Sequence, residues 1–231
     1  MIILGCANSY QEAKRRTELV RERQGISRLF RRGPLDHPVE VFEESPHAGQ
    51  FIFDQLRAQH FRNRDSVLHL TGYSRGEFTH LQGGLGEEAF TAQQVATLAS
   101  RLPALKLVFL NGCATPELVR HLLRRDIPAV IATQTEHQRM QYSALAYSFY
   151  DGLRQGKTIY QAFAPLHRAT PEMVDLYPVD YDLYQDEFVV EGRSFQAMAG
   201  QTLPGGLYFQ SDRQAELNWH IPPRTERKAA G

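Results

Sequence analysis

The chain has 231 residues, 42% of them hydrophobic and 23% charged, with 26 Lys and Arg balancing 26 Asp and Glu. Such proportions suit a globular protein with a sizeable core. They argue against a disordered chain and against a dedicated nucleic-acid binder, whose charge leans basic. Two cysteines, Cys6 and Cys113, are too few for a disulfide framework and fit a reducing, cytoplasmic setting. No apolar stretch approaches membrane-spanning length, and no basic segment precedes Ile2-Ile3-Leu4, so neither a transmembrane helix nor a signal peptide is expected.

Ile2-Ile3-Leu4 reads as a buried strand that stops at Gly5-Cys6-Ala7-Asn8. From Tyr10 to about Arg32 the residues favour a helix, with Leu19, Ile26, Leu29 and Phe30 on one stripe. Eight Lys or Arg fall between positions 14 and 32 against Glu18 and Glu22, a run whose ordinary meaning is a solvated face. Gly33-Pro34 breaks this helix, Val39-Glu40-Val41-Phe42 forms a second strand, and Ser45-Pro46 starts a helix through Phe51, Ile52, Leu56 and Phe61. Val67-Leu68-His69-Leu70-Thr71 is a third strand, ending at Gly72-Tyr73-Ser74-Arg75-Gly76. After a Gly-rich stretch at Gly83-Gly84-Leu85-Gly86, Thr91 begins a helix carrying Val95, Leu98, Ala99 and Leu102.

Leu107-Val108-Phe109-Leu110 is the most strongly patterned strand, too short for a helix and closed by the polar turn Asn111-Gly112. Cys113 follows at once, a thiol at the C-terminal lip of a buried parallel strand, where open α/β sheets place ligands and reactive groups. Thr115 is a helix cap with Pro116 at the first helical position. Pro128 to Thr133 is the next strand, with Gln134-Thr135-Glu136-His137 as its exit loop. Helices from about Gln138 to Arg154 and from Thr158 to about Leu166 come next. Strands alternating with helices imply a mostly parallel sheet covered on both faces. From Thr170 to about Gln201 the alternation fails in an irregular, acidic, tyrosine-rich excursion with a strand at Phe188-Val189-Val190. Leu207-Tyr208-Phe209 and Leu217-Asn218-Trp219 read as closing strands, and residues 223–231 as a linker-like tail.

The triplet Asn111-Gly112-Cys113 and the strand ending His69-Leu70-Thr71-Gly72-Tyr73 resemble the two motif strands of the CHAT domain, a bacterial member of the caspase-like cysteine peptidases. Leu4-Gly5-Cys6-Ala7-Asn8, Phe149-Tyr150-Asp151-Gly152-Leu153, Gly156-Lys157-Thr158-Ile159 and Leu203-Pro204-Gly205-Gly206-Leu207-Tyr208 extend the likeness in the family's order. The resemblance implies an α/β three-layer caspase-like fold, a mostly parallel central sheet flanked by helices, formed by a single domain over residues 1–222. It implies Cys113 as nucleophile and a subgroup of stand-alone or effector-type proteins in bacterial conflict or antiphage defence, fused to or controlled by sensor modules.

One position departs from that pattern. The family's strand finishes His-x-x-Gly-His, the second histidine being the catalytic base, and this chain has Tyr73 there. Only a few per cent of an unassisted thiol of pKa about 8.5 is thiolate at neutral pH, and a tyrosine donates rather than accepts a proton. Losing a positioned acid–base costs on the order of 10²–10⁴ in rate. The expectation is therefore a pseudopeptidase that binds a protein or peptide partner, the alternative being an active cysteine endopeptidase with His137 or His69 as surrogate base. His69 reads chiefly as a structural residue deeper in the sheet, His137 chiefly as a helix-starting surface residue at the end of the neighbouring strand's exit loop, and His80 as part of a variable loop. Gln134, Thr135 and Glu136 would line the substrate pocket, and the acids from Asp180 to Glu187 favour a basic side chain in it. No zinc spacing is present, and the Gly83 stretch lacks the Lys-Ser/Thr of a phosphate loop, so no cofactor or metal is expected.

Overall fold

The apolar runs become strands because they are short, rich in β-branched and large residues, and interrupted by Gly and Pro. The computed structural model describes residues 2–6, 21–22, 24–30, 39–42, 65–71, 73–75, 78–83, 86–102, 104–112, 114–133, 139–169, 175–182, 187–190, 193–194 and 203–222. Among these, twelve strands are β1 (Ile2–Cys6), β2 (Val39–Phe42), β3 (Ser66–Thr71), β4 (Tyr73–Arg75), β5 (Phe78–Gly83), β6 (Gly86–Thr91), β7 (Leu105–Asn111), β8 (Val130–Ala132), β9 (Asp175–Asp182), β10 (Glu187–Val190), β11 (Arg193–Ser194) and β12 (Gly206–Gln210). Residues 21–22 and 24–30 are helical and are called α1. The other helices are α2 (Ala92–Ala99), α3 (Pro116–Leu123), α4 (Arg139–Arg154) and α5 (Ile159–Ala169).

Nine of these strands make one sheet in the order β11-β10-β9-β12-β8-β7-β3-β1-β2. Pairing is parallel from β2 through β8 and again between β12 and β9; the β8–β12 step and the β9–β10–β11 end are antiparallel. Side-chain alternation sends Leu68, Leu70, Val108, Leu110 and Val130 to one face, against α2 and α3. Val67, Leu107, Phe109 and Ile131 go to the other face, against α1, α4 and α5. The architecture is thus a three-layer caspase-like α/β fold with a mostly parallel central sheet, as the family resemblance implies.

Helix starts are set by side chains that satisfy the first backbone N–H groups. Thr91 caps α2 in a reciprocal box with Gln94, and Thr115 accepts from the Leu118 N–H at 3.1 Å with Pro116 first in α3.

Three expectations are corrected. The region after Thr71 is a three-stranded antiparallel sheet, β4-β5-β6, rather than loop. Gly83 and Gly86 are register partners, so the Gly-rich stretch is a hairpin connection. In the excursion after Thr170 the described residues are regular: β9, β10 and β11 continue the main sheet and bury Val179, Phe188 and Val190, with the expected strand at Phe188–Val190 inside β10. Leu217-Asn218 is not a strand: Ser211–Asn218 is 3-10 helix, its polar sequence burying Leu217 alone, while the Trp219 indole N–H donates to Asp65 at 2.9 Å. The helix expected from Ser45 to Phe61 and the tail from 223 lie outside the described residues.

Candidate functional site

β3 and β7 are parallel neighbours whose last register pairs are Leu70 with Leu110 and Thr71 with Asn111. Two residues beyond that final pair stand Tyr73 and Cys113. Tyr73 opens β4, where its antiparallel register partner is His80. Cys113 lies outside the described residues, as do Gln134, Thr135, Glu136 and His137. Gly112 is buried with φ of 75°, a left-handed conformation that glycine adopts without a Cβ penalty. Its N–H donates to Thr133 Oγ1 at 3.0 Å, just past the end of β8.

Beneath this sheet edge lies a polar cluster on the face covered by α1 and α4. Its centre is the Glu22 carboxylate of α1, buried at 7% exposure. His69 Nε2 lies 2.8 Å from Glu22 Oε1, and Thr71 Oγ1 donates to the same oxygen at 3.2 Å. Asn111 Nδ2 lies 2.8 and 2.7 Å from the two carboxylate oxygens, and the Ser143 hydroxyl donates to Oε2. Because an ionised carboxylate only accepts, His69 carries a proton on Nε2 and Asn111 turns its amide nitrogen toward Glu22. The other ring nitrogen, Nδ1, is 3.1 Å from the Tyr150 hydroxyl. The imidazole also stacks on Phe109, with centroids 4.9 Å apart and planes at 27°. His69 is 1% exposed, with both nitrogens engaged.

Burial alone pushes the Glu22 carboxyl up. The bond and charge of His69 oppose it, with the bonds from Ser143 and Asn111, and together they hold the group below its ordinary value. An ionised, multiply bonded carboxylate is thus fixed where β3, β7, α1 and α4 meet. Among the described residues no group of three His, Cys, Asp or Glu side chains could hold a metal ion.

Of the residues singled out by pattern, the structure brings Gly112 and His69 to this edge and gives Tyr73 a place on the adjoining strand. Pattern reading missed Glu22, Thr133, Ser143 and Tyr150. For Glu22 a signal was available: it lies four residues before Ile26, in line with Leu19 and Phe30 on the apolar stripe.

Comparison with protein families matches the CHAT domain over residues 48–182, more than half of the chain. The chain belongs to the CHAT family. The matched CHAT segment runs from before β3 to the end of β9 and includes Tyr73, Cys113 and His137, whereas α1 with Glu22 precedes it and β12 follows it. A search among curated proteins gives no match. Among the described residues no helix is long and apolar enough to cross a membrane.

Proposed function

We propose that this CHAT domain is a catalytically impaired, caspase-like pseudopeptidase that acts by binding a protein or peptide partner, as an effector or regulatory module. The observation that carries this reading is Tyr73, which stands where the family motif has its histidine base. The described imidazole nearest in sequence does not make good the loss. His69 is buried, and both of its ring nitrogens are already committed to Glu22 and Tyr150. Asp182 and Glu187 are register partners where β9 meets β10, and the acids of this stretch favour a basic side chain in a bound peptide. Placement in a cytoplasmic bacterial defence system rests on the family resemblance.

The test is the rate of Cys113 alkylation by iodoacetamide between about pH 5 and about pH 9. An apparent pKa near 8.5 or above supports the reading, and a value below about 7 overturns it. Tyr73→His then tests whether the remainder of the site is competent, by appearance of peptidase activity that Cys113→Ala removes.

One observation favours a second reading, an active endopeptidase. His80 is the antiparallel register partner of Tyr73. A proteolytic activity abolished by His80→Ala and by Cys113→Ala, with His137→Ala unaffected, is the outcome that selects it.

A further inference from the structure

Three hydrogen bonds run in one direction from the turn before Cys113 to the buried carboxylate. The Gly112 N–H donates to Thr133 Oγ1 at 3.0 Å. The Thr133 hydroxyl donates to Asn111 Oδ1 at 2.8 Å. The Asn111 amide donates to Glu22 at 2.7 and 2.8 Å. Each donor in such a chain is polarised by the next acceptor, so the negative charge at its end strengthens every link. Thr133 is itself pinned to β7, its backbone N–H donating to Leu110 O at 3.0 Å.

Asn111 and Gly112, the two residues that lead into the thiol, are therefore held from two sides. β8 grips them through Thr133, and α1 grips them through Glu22. The α1 grip comes from outside the segment that matches the family. Burying a carboxylate is costly, and a chain that served only packing could fill the place with an apolar residue.

We propose that Glu22 is a positioning residue for Cys113, acting through Asn111 and Thr133, so that the segment before residue 48 sets the reactivity of the thiol. The inference rests on reading Cys113 as the functional residue of the CHAT domain. It does not require catalysis, because a preorganised turn fixes the approach to the sulfur for any reagent or partner.

The experiment follows iodoacetamide alkylation against pH on the full chain, with the Cys113 peptide resolved from the Cys6 peptide by mass spectrometry and thermal melts run alongside. Glu22→Gln keeps the shape but turns a donor toward the Asn111 amide. Thr133→Val cuts the chain at its middle without touching the buried charge. Each is expected to change the Cys113 rate at a given thiolate fraction by about tenfold. The double variant is expected to match the stronger single variant, since both act on one chain. Thr133→Ser, which keeps the hydroxyl, restores the wild-type profile. Tyr150→Phe removes a bond from the same cluster away from this chain, and leaves the Cys113 profile unchanged.

The proposal is overturned if Thr133→Val or Glu22→Gln melts cooperatively and keeps the wild-type profile. It is equally overturned if Tyr150→Phe alters the rate as much as Thr133→Val, which would mean general loosening. Should Glu22→Gln fail to fold, the Thr133 pair decides alone. A peptidase assay on the same samples reports separately on impaired catalysis, so a passive Glu22 and an active enzyme give different results.

Discussion

The Asn111 amide nitrogen bridges the two oxygens of Glu22, a residue 89 positions earlier, at 2.8 and 2.7 Å. Neither partner is conspicuous alone, one being a turn residue at the end of a strand and the other an acid on a basic helix. Together they join α1 to β7, the strand that precedes Cys113 in the chain.

Asn111→Asp sets a second carboxylate against the first in a dry place. Either the two repel as carboxylates or one of them takes up a proton, and at neutral pH both outcomes are costly. The variant is expected to lose about 3–5 kcal/mol at neutral pH and to recover part of this on mild acidification, as read by urea denaturation at several pH values.

Acid should act on the wild-type chain through Glu22. Its folded value lies below the ordinary 4.5, so the carboxylate's contribution is present in full above that value and is lost as pH falls through the lower, folded one. Melting temperature is expected to hold between about pH 7 and about pH 5 and to decline below about pH 4.5. In Glu22→Gln, melting starts lower at neutral pH and declines less steeply with acid.

His69→Leu keeps bulk against Phe109 but deprives the carboxylate of its charged or N–H partner. The loss is expected to be about 3–5 kcal/mol, the scale for breaking one side of a buried pair. A loss below about 1 kcal/mol by chemical denaturation would show that Thr71, Asn111 and Ser143 suffice for the carboxylate.

Gly206→Ala tests the packing of β12. A Cβ there would come within 2.4 Å of Asp175 O and 2.5 Å of the Tyr177 ring, and the first of these is backbone. Overpacking of this kind costs about 1–3 kcal/mol. Calorimetry should show a lower melting temperature, while Gly156→Ala, with open space but φ of 80°, pays only backbone strain of about 1–2 kcal/mol.

Local chemistry was the legible part of this chain. Thr91 with Gln94, and Thr115 with Pro116, mark helix starts by residue type alone, and the apolar run ending at Leu110 has one good interpretation as a strand. What escaped was decided by tertiary partners. The hairpins of β4 to β6 have weak alternation and glycine at their turns, and they resemble loop until pairing is known. Glu22 belongs to a run of charges whose usual place is water, and only α4 and β7 packing over it makes it internal. Tyr73 was legible as a missing histidine, but its pairing with His80 depends on a turn whose register the residues do not announce.

The strand order also bears on how the gene is cut. β12 lies between β8 and β9, and β1 covers the outer side of β3, yet neither belongs to the matched segment. A fragment limited to residues 48–182 would leave the far side of β3 and the far side of β8 bare and would strip β9 of both neighbours, four edges of unsatisfied N–H and C=O groups open to other chains. Such a fragment is expected to aggregate on expression where the whole chain does not. The span over which the family is recognised is here shorter than the sheet to which it belongs.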